Sequence, residues 1–161
     1  MKLRNMTSLY LVEEGRILCL YRIGSRVVSN KYIGSAGGHF EPGELNDPRA
    51  CVLREMEEEL GLKEDALEGL NLRYITLRRM EGEIRQNYYF FASLKEEIEL
   101  SSTEGTLEWI PFDRVPELNM PVSAKHMILH YLQKGRFDDV LYGGLTQADG
   151  TAFVPLEEFE G

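Results

Sequence analysis

The sequence is poor in cysteine and tryptophan and has no long hydrophobic run. Its two cysteines, Cys19 and Cys51, are too few for the disulfide framework of a small secreted domain. No apolar stretch approaches the roughly 18 residues of a membrane span, and the start of the chain leads into no apolar signal segment. We therefore expect a reducing, cytoplasmic location, two free thiols and no contact with a membrane.

Basic residues are also scarce, because 18 Lys and Arg face 27 Asp and Glu and leave a formal charge of −9. So acidic a body disfavours binding of a nucleic acid polymer. The excess is uneven: residues 1–54 hold 8 basic and 5 acidic side chains, and the rest of the chain holds 10 and 22. An anionic ligand is expected at the first third, with a cation between it and the acids beyond.

The length of 161 residues suits a single domain over 1–161. Strands followed by one helix, then strands and another helix, predict an α/β (α+β) fold with a mixed sheet. We expect Ile23–Ile33 to be a loop and the glycine-rich Gly34–Glu44 to be irregular. We predict strands over Thr7–Glu13, Arg16–Arg22, Leu70–Met80, Arg85–Leu94 and Thr106–Phe112, a helix over Val122–Gln133, and a C-terminal hairpin over about 138–156.

The clearest helix signal lies between Asp47 and Gly61. Asp47 suits the N-cap, Pro48 the first helical position, and Gly61 the residue after the last turn. Apolar residues recur at helical spacing and predict the buried stripe, which comprises Leu53, Met56 and Leu60.

Three acidic residues of this helix, Glu55, Glu58 and Glu59, share another face. Carboxylates at i, i+3 and i+4 repel one another unless a cation lies among them. Hard divalent cations, Mg²⁺ above all, prefer oxygen ligands and often share them with substrate phosphates. The alternative is a solvated acidic face with no ligand.

A glycine-rich turn precedes the helix, and together they resemble the Nudix box, G-x5-E-x7-R-E-U-x-E-E-x-G-U, in which U is a bulky aliphatic residue. The matching positions are Gly38, Glu44, Arg54, Glu55, Met56, Glu58, Glu59, Gly61 and Leu62. Nine residues, and not seven, separate Glu44 from Arg54. The sequence does not determine whether Glu44 still reaches Arg54 across this two-residue insertion.

The resemblance implies a Nudix fold, an α/β/α sandwich with a mixed central sheet and one catalytic helix. It implies hydrolysis of a nucleoside diphosphate linked to another group, with Mg²⁺, or Mn²⁺ as a substitute, holding the phosphates. The metal ligands it implies are Glu55, Glu58 and Glu59, helped by the carbonyl of Gly37, and Arg54 orients these carboxylates.

Outside the box, the chain is similar to MutT-like members that remove damaged nucleotides from the nucleotide pool. The resemblance implies phosphate contacts from Arg22 and Lys31, with Gly38 against the substrate. It also implies a further metal-binding or basic glutamate in the loop and strand that begin at Thr103. Glu104 is our choice for that residue, with Glu108 as the competitor.

The segment Asn119–Lys125 resembles the segment of MutT-like members in which an asparagine recognises an oxidised guanine. An amide both donates and accepts hydrogen bonds, as a purine edge requires. The alternative role for Asn119 is to cap the following helix. His126 and His130 have the spacing of a zinc pair, but no third ligand is in view, so we interpret them as surface or core residues.

The function expected from these resemblances is Mg²⁺-dependent cleavage of a nucleoside triphosphate, with 8-oxo-dGTP as a candidate, to monophosphate and pyrophosphate. One alternative is hydrolysis of ADP-ribose or a nucleotide sugar. Another is a module that senses a nucleotide without cleaving it. The expected partner is a small nucleotide, and the chain is a monomer or a homodimer.

Overall fold

The computed structural model describes residues 1–22 and 30–161. Of the loop predicted over Ile23–Ile33, residues 23–29 lie outside the described residues, and Lys31–Ile33 is a short strand and not a loop. The strands are Lys2–Glu13 (β1), Arg16–Arg22 (β2), Lys31–Ile33 (β3), Ala36–His39 (β4), Leu67–Met80 (β5), Glu83–Leu94 (β6), Gly105–Pro111 (β7), Tyr142–Gln147 (β8) and Gly150–Pro155 (β9). The α-helices are Pro48–Leu60 (α1) and Val122–Gln133 (α2), and short 3₁₀ turns cover Pro42–Glu44, Glu64–Ala66, Val115–Glu117 and Gly135–Phe137.

The described strands form one mixed sheet of nine, in the order β3-β2-β1-β6-β5-β8-β9, with β4 paired to β1 and β7 to β2. The β1–β6 and β5–β8 pairs are parallel and the other pairs are antiparallel. The strands predicted over Thr7–Glu13 and Arg16–Arg22 are confirmed. They pair as a hairpin that turns at Glu14 and Gly15, both of which have a positive φ. The mixed sheet with two helices confirms the α+β prediction.

Alternation along β1 divides the interior between the two faces of the sheet. Leu9 and Leu11 pack with Val52 and Met56 of α1, whereas Tyr10 between them packs in the cluster that includes residues of α2. Successive strand residues point to opposite faces, so α1 and α2 cover opposite sides of the sheet. This is the helix–sheet–helix arrangement that the resemblance implied.

Two further local predictions were wrong in part. Gly34–Glu44 is not irregular throughout, because β4 pairs with β1 from Leu9↔Ala36 to Met6↔His39. Glycine allows this pairing at its closest point, since a Cβ at Gly37 would lie 2.9 Å from the Cα of Ser8. In α1 the buried residues are Cys51, Val52, Met56 and Leu60, and Leu53 is only partly buried.

The two cysteines are free thiols, and both are buried. Among the described helices none is both long and apolar enough to span a membrane.

Candidate active site

The caps predicted for α1 are those of the structure. The carboxylate of Asp47 accepts a hydrogen bond from the amide of Ala50 at 3.0 Å, and Pro48 begins the helix. Gly61 ends it in the left-handed region at φ 68°, and its N–H donates to the carbonyl of Glu57. These ends fix which residues of α1 face the glycine turn in β4.

Arg54 is the hub of the carboxylate cluster. Its Nε and Nη2 donate to the two oxygens of Glu44 at 2.7 and 2.9 Å. Its Nη1 donates to Glu55 at 3.0 Å and to Glu58 at 3.1 Å, and its Nη2 also donates to the carbonyl of His39 at 3.1 Å. One guanidinium therefore holds three carboxylates and the end of β4 in a fixed relation.

The two-residue insertion leaves the contact between Glu44 and Arg54 in place. Glu44 is buried at the end of the first 3₁₀ turn, and its carboxylate also accepts from the amide of Glu41 at 2.9 Å. The Arg54 hydrogen bonds hold the pKa of Glu44 at about 2, against the opposing effect of burial. The extra residues lie before Asp47 and lengthen the connection without displacing this ion pair.

The carboxylate of Glu55 lies against Gly38. A Cβ at this glycine would lie 2.5 Å from the Cδ of Glu55, so only glycine fits here beside the acid in its present position. Burial raises the pKa of Glu55, although the charge of Arg54 lowers it. A half-buried carboxylate against bare backbone is a position where a bound cation relieves the cost of burying the charge.

Glu59 lies beside Gly37, whose amide donates to Glu59 Oε2 at 3.2 Å. Burial, together with the negative charges of Glu55 and Glu104, raises the pKa of Glu59 to about 7. Arg54 therefore does not compensate all of the negative charge in this set of acids.

The oxygen donors of this cluster fit a hard divalent cation. Within residues 1–22 and 30–161, no three His, Cys, Asp or Glu side chains converge on one point as a closed metal cage. Mg²⁺ does not require such a cage, because it usually keeps several waters and takes one or two carboxylates plus substrate phosphates. The raised pKa values of Glu55 and Glu59 are the observation that favours a cation here.

The two candidates for the additional acid lie in different surroundings. Glu104 accepts a hydrogen bond from Arg22 at 2.7 Å, and its charge acts on Glu59. Glu108 accepts a hydrogen bond from the hydroxyl of Tyr32 at 3.1 Å and lies opposite Cys19. Burial, together with the charge of Glu108, raises the pKa of the Cys19 thiol to about 12. Since Cys19 belongs to the α2-side cluster, Glu108 faces away from the carboxylates of α1.

The predicted phosphate-contacting residues are neighbours on adjacent strands. Arg22 of β2 lies opposite Lys31 of β3, so both side chains point to the same face. That face is the one with Leu18 and Leu20, and Leu18 packs in the α1-side cluster. Arg22 and Lys31 therefore flank the side of the sheet that carries the acids.

Asn119 lies elsewhere, beside the outer edge of β3. Its exposed amide donates to the carbonyl of Asn30 at 3.2 Å, and its own carbonyl accepts from the amide of Tyr32 at 2.8 Å. The capping alternative is wrong, because Pro121 occupies the N-cap of α2 and no side chain caps that helix. The Tyr21–Tyr32 ring pair lies beside it, with 4.9 Å between ring centroids, and was not predicted as part of the site. Alternation along β2 and β3 was the signal that could have found these rings.

The two histidines of α2 have separate partners, as expected of structural residues. His126 Nδ1 lies 2.7 Å from the hydroxyl of Thr151, and His130 Nδ1 lies 2.8 Å from that of Tyr74. Both contacts fasten α2 to the sheet.

Comparison with known proteins agrees with this geometry. A family model described as "NUDIX domain" matches residues 2–131. A mutator MutT protein from Bacillus halodurans is 26% identical, with a TM-score of 0.65, 93% of this chain covered and 97% of that one. A NUDIX hydrolase from Nitrosomonas europaea (13% identity, TM-score 0.68, coverage 91% and 80%) shares the fold. So does an Ap4A hydrolase from C. elegans (13%, 0.65, 86% and 100%). The chain therefore belongs to the Nudix family and is a hydrolase acting on pyrophosphate bonds.

Proposed function

We propose that this chain is a Mg²⁺-dependent pyrophosphohydrolase of nucleoside triphosphates. It adds water across a pyrophosphate linkage and releases a nucleoside monophosphate and pyrophosphate. An oxidised purine nucleotide such as 8-oxo-dGTP is the candidate substrate, which would make the enzyme a sanitiser of the nucleotide pool. The observation that carries the proposal is the carboxylate cluster on α1, tied together by Arg54 and set against Gly37 and Gly38.

The metal-binding groups in this proposal are three glutamates of α1, the glutamate at the end of the 95–104 loop, and one backbone carbonyl. They are Glu55, Glu58, Glu59, Glu104 and the carbonyl of Gly37. When bound, Mg²⁺, or Mn²⁺ in its place, neutralises charge developing on the phosphoryl oxygens and makes a water more acidic. The raised pKa of Glu59, about 7, suits a group that takes up the proton of the attacking water.

Arg54 is a positioning residue in this scheme. It donates to Glu55 and Glu58 from one nitrogen while Glu44 holds the rest of its guanidinium. The carboxylates therefore keep their directions without substrate, which reduces the entropic cost of assembling the site.

The phosphates of the substrate have a basic approach in Arg22 and Lys31. Arg22 is ion-paired with Glu104 and only partly exposed. A substrate phosphate competes for Arg22, and Glu104 is then released toward the acids of α1. The effect of the Glu104 charge on the pKa of Glu59 supports Glu104, and not Glu108, as the additional acid.

Base recognition is assigned to Asn119. Its amide is exposed beside the Tyr21–Tyr32 pair, where an aromatic surface and a donor–acceptor group lie together. Such a pair suits a purine, which stacks on rings and presents donors and acceptors along its edge.

We also propose that residues 1–161 form one domain and not only the matched 2–131. The parallel pairing of β8 with β5 supports this, because it continues the same sheet into the C-terminal hairpin. The two buried thiols are consistent with a cytoplasmic location.

The test is a substrate panel with separate detection of pyrophosphate and phosphate. The panel holds normal and oxidised nucleoside triphosphates, ADP-ribose and a nucleotide sugar, each with Mg²⁺. We expect pyrophosphate from triphosphates, loss of turnover in Glu58→Gln, and retained turnover in the matched control Glu57→Gln, an exposed neighbour on the same helix.

Cleavage of ADP-ribose or the nucleotide sugar alone would overturn the triphosphate proposal and the role of Asn119. Nucleotide binding without any turnover would indicate a sensing module instead.

A further inference from the structure

The sheet exposes an apolar surface on its α1 side. Five large aliphatic side chains lie there with 37–60% of their surface exposed, and we name this surface the open face: Leu3, Leu77, Leu145, Val154 and Leu156. They come from the β1, β5, β8 and β9 strands and the residue after β9.

Strand register places these residues on one side. Leu77 lies opposite Leu145, and Leu145 lies opposite Ala152 on the edge strand. Two residues further along, Val154 lies opposite Gly143, and the side chain of Leu156 covers that glycine at 3.2 Å from its Cβ position. Tyr142, the residue before Gly143, points into the α2-side core. Gly143 and Leu145 therefore face the opposite, α1 side, which is the side of the open face.

Along β5 the open face has no acidic neighbour on the adjoining strands, although the chain as a whole has a formal charge of −9. Along β5 it runs from residue 75 to Arg79, and none of the cross-strand partners of residues 75, 77 and 79 in the described sheet is acidic. A second copy of so acidic a protein is repelled over most of the surface but not here. Contiguous exposed apolar patches of this kind mark interaction sites.

The two ends of the open face carry opposite charges, so the face is complementary to a second copy of itself. Arg79 lies at one end of the open face. The acidic tail, Glu157, Glu158 and Glu160, begins at the other end, because Pro155 pairs with Tyr142 while β8 runs parallel to β5. A twofold axis crossing the strands in the plane of the face places each Arg79 beside the tail of the other copy. Phe159 in the tail is 94% exposed and is available to the same contact.

We propose that the open face is the interface of a symmetric homodimer of this chain, packed face to face. The two sheets stack like the layers of a β-sandwich, with Leu77, Leu145 and Val154 at the centre and Arg79 against the partner tail at the rim. The inference rests on the sheet and its exposed residues and does not depend on the proposed substrate.

The experiment is sedimentation equilibrium of the full chain over a wide concentration range. We expect a dimer of twice the 18.5 kDa chain mass. Leu145→Lys places a charge at the centre of both halves and should raise the dimer dissociation constant by about 100-fold or more. The matched control Phe137→Lys changes an exposed aromatic residue outside the face and should leave the dimer intact.

A charge swap tests the orientation. Arg79→Glu should weaken the dimer, and adding Glu157→Arg and Glu158→Arg to it should restore the dimer. Far-UV circular dichroism and urea unfolding of each variant report that it is folded.

A wild-type chain that stays monomeric at every concentration would overturn the proposal. So would a dimer that is unaffected by Leu145→Lys. A monomer that instead cosediments with anionic or neutral lipid vesicles would overturn it in favour of a membrane surface.

Discussion

Replacing Gly38 with alanine tests how closely the acid cluster depends on the glycine turn. The new Cβ would lie 2.5 Å from the Cδ of Glu55, where ordinary contacts begin near 3.4 Å, so the carboxylate must retreat by about 1 Å. A displacement of that size at a reacting site costs about 100-fold in rate, or about 2.7 kcal/mol of transition-state stabilisation. Glu55 would also lose its hydrogen bond to Arg54, which costs about 1 kcal/mol of folding free energy.

The assay is kcat/KM for pyrophosphate release, with urea unfolding measured on the same samples. Gly43→Ala is the matched control, because a Cβ there meets nothing within 4 Å. We expect Gly43→Ala to match the wild type in both measurements. If Gly38→Ala retained activity within about 3-fold of this control, the claim that Glu55 must lie against bare backbone would be refuted.

Further predictions concern the remaining charges. Glu44→Gln should lower the free energy of unfolding by about 2 kcal/mol at neutral pH. Arg54 lowers the pKa of Glu44 to about 2 in the folded protein, from 4.5 in the unfolded chain. The stabilisation is therefore fully present above pH 4.5 and disappears as the pH falls toward 2. Wild type and variant should then have the same free energy of unfolding in urea titrations at acid pH. The pKa of Glu59 is raised from 4.5 to about 7 in the folded protein, so the folded state binds its proton more tightly than the unfolded chain does. Without metal, the free energy of unfolding should therefore fall as the pH rises from 4.5 through 7. Mg²⁺ should therefore raise Tm more at about pH 8 than at about pH 5 in a thermal scan, and equal shifts would contradict this reasoning. Glu104→Gln should lower kcat by about 100-fold while Glu108→Gln should not, and the reverse order would move the additional acid to the other face. Asn119→Ala should raise KM for 8-oxo-dGTP more than for ordinary triphosphates, and an equal effect on all bases would remove its assigned role.

Local rules were enough to predict α1. Asp47, Pro48 and Gly61 determine its ends through capping chemistry that depends on neighbours in sequence, and the structure has the same bounds. The shared face of Glu55, Glu58 and Glu59 follows from helical geometry alone. For this reason the acid cluster was predictable while its surroundings were not.

Long-range pairing limited the other predictions. The β4 strand at Ala36–His39 was missed because its glycines carry no strand propensity, and its pairing with β1 depends on contacts about 30 residues away. The effect of the insertion before Asp47 was equally undetermined, since the distance from Glu44 to Arg54 depends on how the 3₁₀ turn folds back. Leu53 was placed in the buried stripe because the pattern does not reveal how far β4 and β1 extend over the helix.

The choice between Glu104 and Glu108 also needed the structure. Glu104 directly precedes β7 and Glu108 lies within it, and composition and spacing do not distinguish the two. Only the register of β7 against β2 places Glu108 opposite Cys19. The open face also could not be predicted from the sequence. The pairing of β5 with β8 and of β8 with β9 determines which residues of the hairpin lie on it.

The most direct test of the central claim is identification of the products of one turnover. The wild-type chain is incubated with Mg²⁺ and a nucleoside triphosphate in ¹⁸O-labelled water, and the products are resolved by ³¹P NMR and mass spectrometry. We predict nucleoside monophosphate and pyrophosphate in equal amounts, with one ¹⁸O incorporated between them and no reaction in Glu58→Gln. Nucleoside diphosphate and inorganic phosphate as the products, or equal turnover in Glu58→Gln, would contradict the account.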